Sequence, residues 1–152
     1  MNVRQFLTAV PAGLLGLAVL LLSAPLVLAD PVGTYRVEGG NPDSGGTYQG
    51  TVEVTRTGDV YQVEWLIAGQ RFSGTALGGA IVNGEFFVGP AHPDDIGLSV
   101  GYVSGDSFGI AFYVKEPDGS WTGVWTYRGS RQIAPGRMLL VCRDPALGRD
   151  LA

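Results

Sequence analysis

His92, Asp94 and Asp95 in "AHPDDIG" (91–97) form the densest group of titratable side chains in the sequence. An imidazole and two carboxylates this close could hold a divalent cation, or the histidine could act as base for a distant serine. Neither pattern is complete. His92 is the only histidine, and the chain has no nucleophile elbow and no spaced metal motif. Pro93-Asp94-Asp95 is also ordinary turn material, because proline presets φ and aspartate bonds back to its own backbone. Paired carboxylates for glycoside hydrolysis are a matter of distance in space. No glycine-rich loop opens a helix to cradle a phosphate. A hydrolase therefore ranks third among the readings, and the chain is expected to be no enzyme and to need no cofactor or metal.

The second group is aromatic. "GSWTGVWTY" (119–127) sets Trp121, Trp125 and Tyr127 on alternate positions around Gly123. Tyr35, Tyr48, Tyr61, Trp65, Phe72, Phe108 and Phe112 fall on a comparable phase. Burying each such ring stabilises a domain by about 1.5–3 kcal/mol, so core filling alone would justify them. The same rings could line a cup, because an eight-stranded barrel has room for side chains or for one small ligand. Trp125 and Tyr127 are expected in the core, and Trp121, nearest the turn, at a mouth. Tyr61, Trp65 and Trp121 are the candidate ligand-binding rings, with Asn83 and Ser99 as inward polar groups.

The elements that must carry these residues read as strands. From Gly33 on, apolar and polar residues alternate in short runs broken by Gly, Asp, Asn and Pro, with no sustained helical period. A two-residue turn at Gly58-Asp59 sets Val54 opposite Val63 and Val52 opposite Trp65, with Glu53 facing Glu64 outside. A turn at Gly69-Gln70 pairs Ile67 with Phe72 and Trp65 with Gly74. A tip at Asp118-Gly119 pairs Val114 with Gly123, Phe112 with Trp125 and Ile110 with Tyr127. The expected strands are 33–38, 47–56, 60–68, 71–77, 80–88, 97–103, 107–115, 121–128 and 138–142. Closing such a meander removes its exposed edges, which predicts an all-β, antiparallel up-and-down barrel of about eight strands. The polar connections 41–46 and 88–97 then lie at its mouths, which makes Asn41, Asp43, His92, Asp94 and Asp95 candidates for contacts through loops.

The first 29 residues differ in character. Arg4, the apolar run 12–22 and the ending Val27-Leu28-Ala29 have the pattern of a secretory signal cleaved after Ala29. The wider stretch from Val10 to Ala29 is, at ~20 residues, also about as long as an uncleaved anchor needs, but Pro11, Ser23 and Pro25 favour cleavage and a periplasmic or secreted product with no membrane span. Removing 29 residues from 152 leaves 123, one domain over 30–142 with a charged, flexible tail at 143–152. Nine basic residues against 14 acidic ones give this portion a net charge of −5, which offers nothing to nucleic acid. Cys142 is the only cysteine, so no internal disulfide is available. It is either buried near the last strand or exposed for pairing two chains.

"GTYRVEG" (33–39), "GDVYQVEW" (58–65) and "GVWTYRG" (123–129) resemble a group of small exported bacterial β-barrel proteins, some of them labelled fibronectin-binding. More coarsely, the chain is similar to calycin barrels of the lipocalin and avidin type. The first resemblance implies a protein or extracellular-matrix partner, and the second a small hydrophobic ligand inside the barrel. Two functions follow as expectations. The first is a non-enzymatic module that binds a macromolecule, adhesin-like or inhibitor-like, through loops or outer face. The alternative is a lipocalin-like carrier of a small hydrophobic ligand.

Overall fold

The computed structural model describes residues 30–141, and the expectations for the leader, Cys142 and the tail lie outside them. The alternation resolves into nine strands: β1 (Gly33–Gly40), β2 (Thr47–Thr57), β3 (Val60–Ile67), β4 (Gln70–Val82), β5 (Glu85–Gly89), β6 (Gly97–Ser104), β7 (Ser107–Lys115), β8 (Trp121–Tyr127) and β9 (Ala134–Leu140). All pairings are antiparallel. Eight strands close in the order β1-β2-β3-β4-β6-β7-β8-β9, with β9 returning to β1. β5 stands outside this ring. Gly78 and Gly79 pair with β6 on one edge and with β5 on the other, so the far half of β4 and β5 form a hairpin that projects past the start of β3.

The first turn is as expected, with Val54 opposite Val63, Val52 opposite Trp65 and Glu53 opposite Glu64. Arg71 lies 3.6 Å from Glu64, and the hydroxyl of Ser73 donates to the same carboxylate at 2.9 Å, which offsets the like-charge pair. Three local expectations are corrected. The β3–β4 turn is Ala68-Gly69, both at positive φ (50° and 80°), so Trp65 faces Phe72 directly and Gly74 faces Val63. That shift of two residues leaves every face unchanged. The expected strand 80–88 is split by Asn83-Gly84 (φ 53° and 84°), a dipeptide that suits a two-residue hairpin turn, so Asn83 sits exposed at a tip and not inside the barrel.

The third correction changes faces. The β7–β8 connection takes in Glu116 to Ser120, and Tyr113, not Val114, pairs with Gly123, while Ala111, not Phe112, pairs with Trp125. The Ser120 amide and hydroxyl donate to Asp118 at 2.9 and 2.6 Å, fixing this longer loop. One residue of slip inverts a strand. Ile110, Phe112 and Val114 therefore point outward, as does Phe108, while Ala111 and Tyr113 point in. The last strand also starts earlier than expected, at Ala134.

The core is the barrel interior, built on Tyr35, Val37, Val52, Val54, Tyr61, Val63, Leu98, Val100, Trp121 and Met138. The end that carries the β2–β3 turn, the 90–96 connection and the β7–β8 loop is sealed. Asp95, 3 % exposed, closes it: its Oδ2 lies 2.8 Å from the Tyr61 hydroxyl and accepts the His92 amide at 2.6 Å. Replacing Asp95 with Ala is expected to cost about 2–3 kcal/mol, since the part-buried His92 amide and the buried Tyr61 hydroxyl both lose a partner. Asp95→Asn, which keeps one acceptor, should cost less. Urea midpoints of the two variants check the order.

Candidate functional site

The opposite end of the barrel is open. β1 ends there, β2 begins there, and the Ala68-Gly69 turn stands beside them. Inside lies a cup of about 350 Å³. Its walls are Tyr48, Trp65, Phe72, Tyr102 and Trp125, with Ile67, Ala111 and Tyr113 completing the apolar lining. Asn41, Thr47 and Gln70 stand at the rim, and among the described residues no charged side chain lines the cup.

The rings hold one another edge to face. Trp65 meets Tyr102 at a centroid distance of 5.8 Å, Phe72 meets Tyr102 at 6.3 Å, and Tyr48 meets Trp125 at 5.7 Å. These spacings are in the favourable range for T-shaped pairs and fix the rings without closing the space between them. The indole N–H of Trp125 donates to the Gly40 carbonyl at 3.1 Å, and the Tyr102 hydroxyl donates to the Thr126 carbonyl at 3.1 Å. Asp43 anchors the 41–46 loop across the rim by accepting from the hydroxyls of Tyr127 and Ser130. The wall is thus largely preformed.

Of the residues expected to bind, Trp65 lines the cup and Asn41 stands at its rim. Asp43 ties down the rim loop without lining the cup, and the others are elsewhere. Trp121 is 1 % exposed in the sealed half, whereas Trp125, expected in the core, forms part of the cup wall: the expected order of the two indoles is reversed. Tyr61 is wholly buried against Asp95 and the His92 carbonyl. Ser99 lies on the outer face of β6, and Asn83 at the β4–β5 tip. His92 and Asp94 are exposed beside each other, Nδ1 to Oδ2 3.5 Å, at the sealed end and away from the cup. Among the described residues no group of three or more His, Cys, Asp or Glu side chains is placed to hold a metal ion. Tyr102 and Tyr113 had no place among the expected rings. Inverting β7 was enough to hide Tyr113, and Tyr102 is legible only as the inward partner of Gly74 and Gly109.

A scan against protein-family models and a search of curated proteins found no match to this chain. Among solved structures, the chain is similar to a redesigned β-barrel designated b11L5F_LGL, with TM-score 0.50 and 13% identity over 74% of this chain and 91% of that one. It is also similar to mFAP1, a redesigned β-barrel bound to DFHBI, with TM-score 0.49 and 14% identity over 71% and 93% of the respective chains. The likeness to b11L5F_LGL is one of fold. It agrees with the closed antiparallel barrel described above and brings no residue of the cup with it.

Burial pushes the phenols of Tyr48 and Tyr102 up to about 12, and nearby Tyr48 and Tyr127 add to the effect at Tyr102. They stay protonated at any physiological pH. Because the folded values lie above the ordinary value of 10.0, their contribution to stability is complete below pH 10 and lost as pH rises toward 12. Alkaline unfolding should accordingly begin above pH 10. Absorbance titration of the phenolates beside circular dichroism should show these two tyrosines ionising only with the loss of strand signal.

Proposed function

We propose that the protein binds a small, uncharged, ring-containing molecule in the open end of the barrel. The observation that carries this reading is the cup itself. At about 350 Å³ it falls at the lower end of the usual range for ligand sites, ~300–1,000 Å³. Its lining of aromatic and aliphatic groups, with a few hydroxyls and amides and no charge, matches a neutral apolar guest. A charged guest would lose its hydration and find no counter-ion. Nothing in the cup places a nucleophile beside a base, which supports binding over catalysis.

The reading through the loops, as an adhesin or inhibitor would use them, draws less support. Asp43 and Asp95, two of the five polar candidates, direct their carboxylates into bonds within the chain. A ligand carrier asks only for the space that is present.

N-phenyl-1-naphthylamine, a neutral probe that brightens in apolar surroundings, should bind saturably with one-to-one stoichiometry and quench tryptophan emission through Trp65 and Trp125. Ala111 points into the cup from β7, so Ala111→Leu should fill part of it and weaken binding at least tenfold while strand signal is kept. Absence of saturable binding, or binding untouched by Ala111→Leu, would remove the reading.

A further inference from the structure

One inward row crosses five strands at the level of the cup: Tyr48 of β2, Gly39 of β1, Gly136 of β9, Gly123 of β8 and Tyr113 of β7, each paired with the next. Three glycines between two tyrosines leave a shelf on which both rings lie, approaching from opposite sides. A Cβ on Gly39 would stand 2.5 Å from the Tyr48 hydroxyl oxygen, and one on Gly123 would stand 2.7 Å from Cδ1 of Tyr113. A Cβ on Gly136 would lie 3.2 Å from the Tyr113 hydroxyl and 3.4 Å from that of Tyr48. Both hydroxyls thus converge over Gly136. Tyr113 is 3 % exposed, yet neither hydroxyl hydrogen-bonds to another described residue. Both side chains line the open cup, so a guest that displaces water from these hydroxyls must supply an acceptor in exchange.

Resting on the cup reading, we infer that the Tyr48 and Tyr113 hydroxyls are a donor pair for one acceptor oxygen of the ligand, so that the guest is a planar aromatic ketone or a comparable neutral carbonyl compound. The ring system stacks among Trp65, Phe72, Tyr102 and Trp125, and the carbonyl oxygen takes both protons over the glycine shelf. Burial raises both phenols above their ordinary value, which keeps them donors and selects against an anionic oxygen that would need a cation.

The test uses two isosteres, 2-acetylnaphthalene and 2-isopropenylnaphthalene, which differ by oxygen against CH2. In the double variant Tyr48→Phe/Tyr113→Phe the ketone should lose about tenfold or more in affinity, about what two neutral hydrogen bonds are worth, while the hydrocarbon binds as before. The ketone's carbonyl stretch should move to lower frequency on wild-type protein and not on the variant. Equal changes for both probes, or an unshifted carbonyl, would overturn the donor pair and leave the cup reading standing. If neither probe binds the wild-type protein, both fall together.

A different observation concerns the outside. Outward positions on β1–β3 carry Arg36, Glu38, Glu53 and Glu64, but those on β4 from Ser73 to Ile81, and on β6, β7 and β8, carry no charge. Leu77, Ile81, Phe86, Val103, Ile110, Phe112 and Val124 are all exposed there. Together these seven residues expose on the order of 600–700 Å², beyond the ~300–600 Å² of a typical monomer's largest patch and within the roughly 600–1,000 Å² that each partner buries in a stable interface. Phe86 packs on Phe112 at 5.7 Å over Gly79 and Gly97 and makes a ridge. Beside it, a groove of about 260 Å³ runs over Gly101 between Ile110, Phe112, Val124 and Ile133. A ridge and a groove on one face complement each other under a two-fold axis.

The geometry points to a second copy of this chain as the occupant, wall against wall, with the acidic faces turned away from each other. Sedimentation velocity should show a dimer at micromolar concentration, and Ile110→Lys, an outward substitution, should give a folded monomer. A wild-type protein monomeric throughout the micromolar range would overturn this, as would a dimer indifferent to Ile110→Lys.

Discussion

An eight-stranded barrel gives its inward side chains so little room that several of its rings lie where a neighbouring strand has no Cβ. That constraint organises this molecule. Trp65 lies against Gly74, where a Cβ would come within 3.0 Å of its Cζ3, and Tyr48 and Tyr113 lie over Gly39, Gly123 and Gly136. Glycine in a strand interior normally weakens it. Here each one is offset by an aromatic ring that covers the bare backbone, so curvature and core are obtained from the same residues.

The constraint is met differently at the two ends, and the difference creates the cup. In the sealed half, Tyr35, Tyr61, Leu98, Trp121 and Met138 fill the cross-section, and polar groups that reach the end are tied to backbone or to Asp95. In the open half each inward pair of β7 and β8 sets a small residue against a ring, Gly109 with Tyr127, Ala111 with Trp125 and Gly123 with Tyr113, so the rings cover one another at their edges and leave a void. Packing density alone would favour a filled barrel. An unfilled, preformed aromatic space beside hydroxyls with no partner in the chain is the arrangement on which the proposed ligand reading rests.

Much of this was legible in the sequence because period-two patterning is robust. Strand identity, the closed antiparallel architecture and the Val54–Val63 hairpin follow from alternation and from Gly58-Asp59. What failed was turn length. Choosing Gly69-Gln70 over Ala68-Gly69 displaced pairs by two residues, which parity forgives. Reading past Asn83-Gly84 fused two strands, although that dipeptide has the backbone preference a hairpin requires. Taking the β7–β8 connection one residue too short could not be forgiven, and local chemistry gave little warning, because Asp118-Gly119 makes an equally good tip. The Ser120 to Asp118 bonds that lengthen the loop become visible only once the strands are placed. Trp121 and Trp125 exchanged roles for a related reason: which end of a barrel is capped depends on the distant connection through Asp95, not on proximity to a turn.

The same β7 register joins the two faces of the molecule. Ala111 and Tyr113 point inward only because Ile110, Phe112 and Val114 point outward, so the space in the cup, its pair of hydroxyls and the uncharged outer wall follow from one choice of loop length. With the opposite register, Ile110, Phe112 and Val114 would crowd the interior, and Tyr113 would face water with its hydroxyl fully hydrated. The exposure of several large apolar residues is unfavourable when taken alone, and so is covering a phenol hydroxyl that has no acceptor within the chain. That one strand carries both, at alternate positions, is intelligible when each face is completed by something else: a guest molecule on the inner side, and an apolar protein surface on the outer.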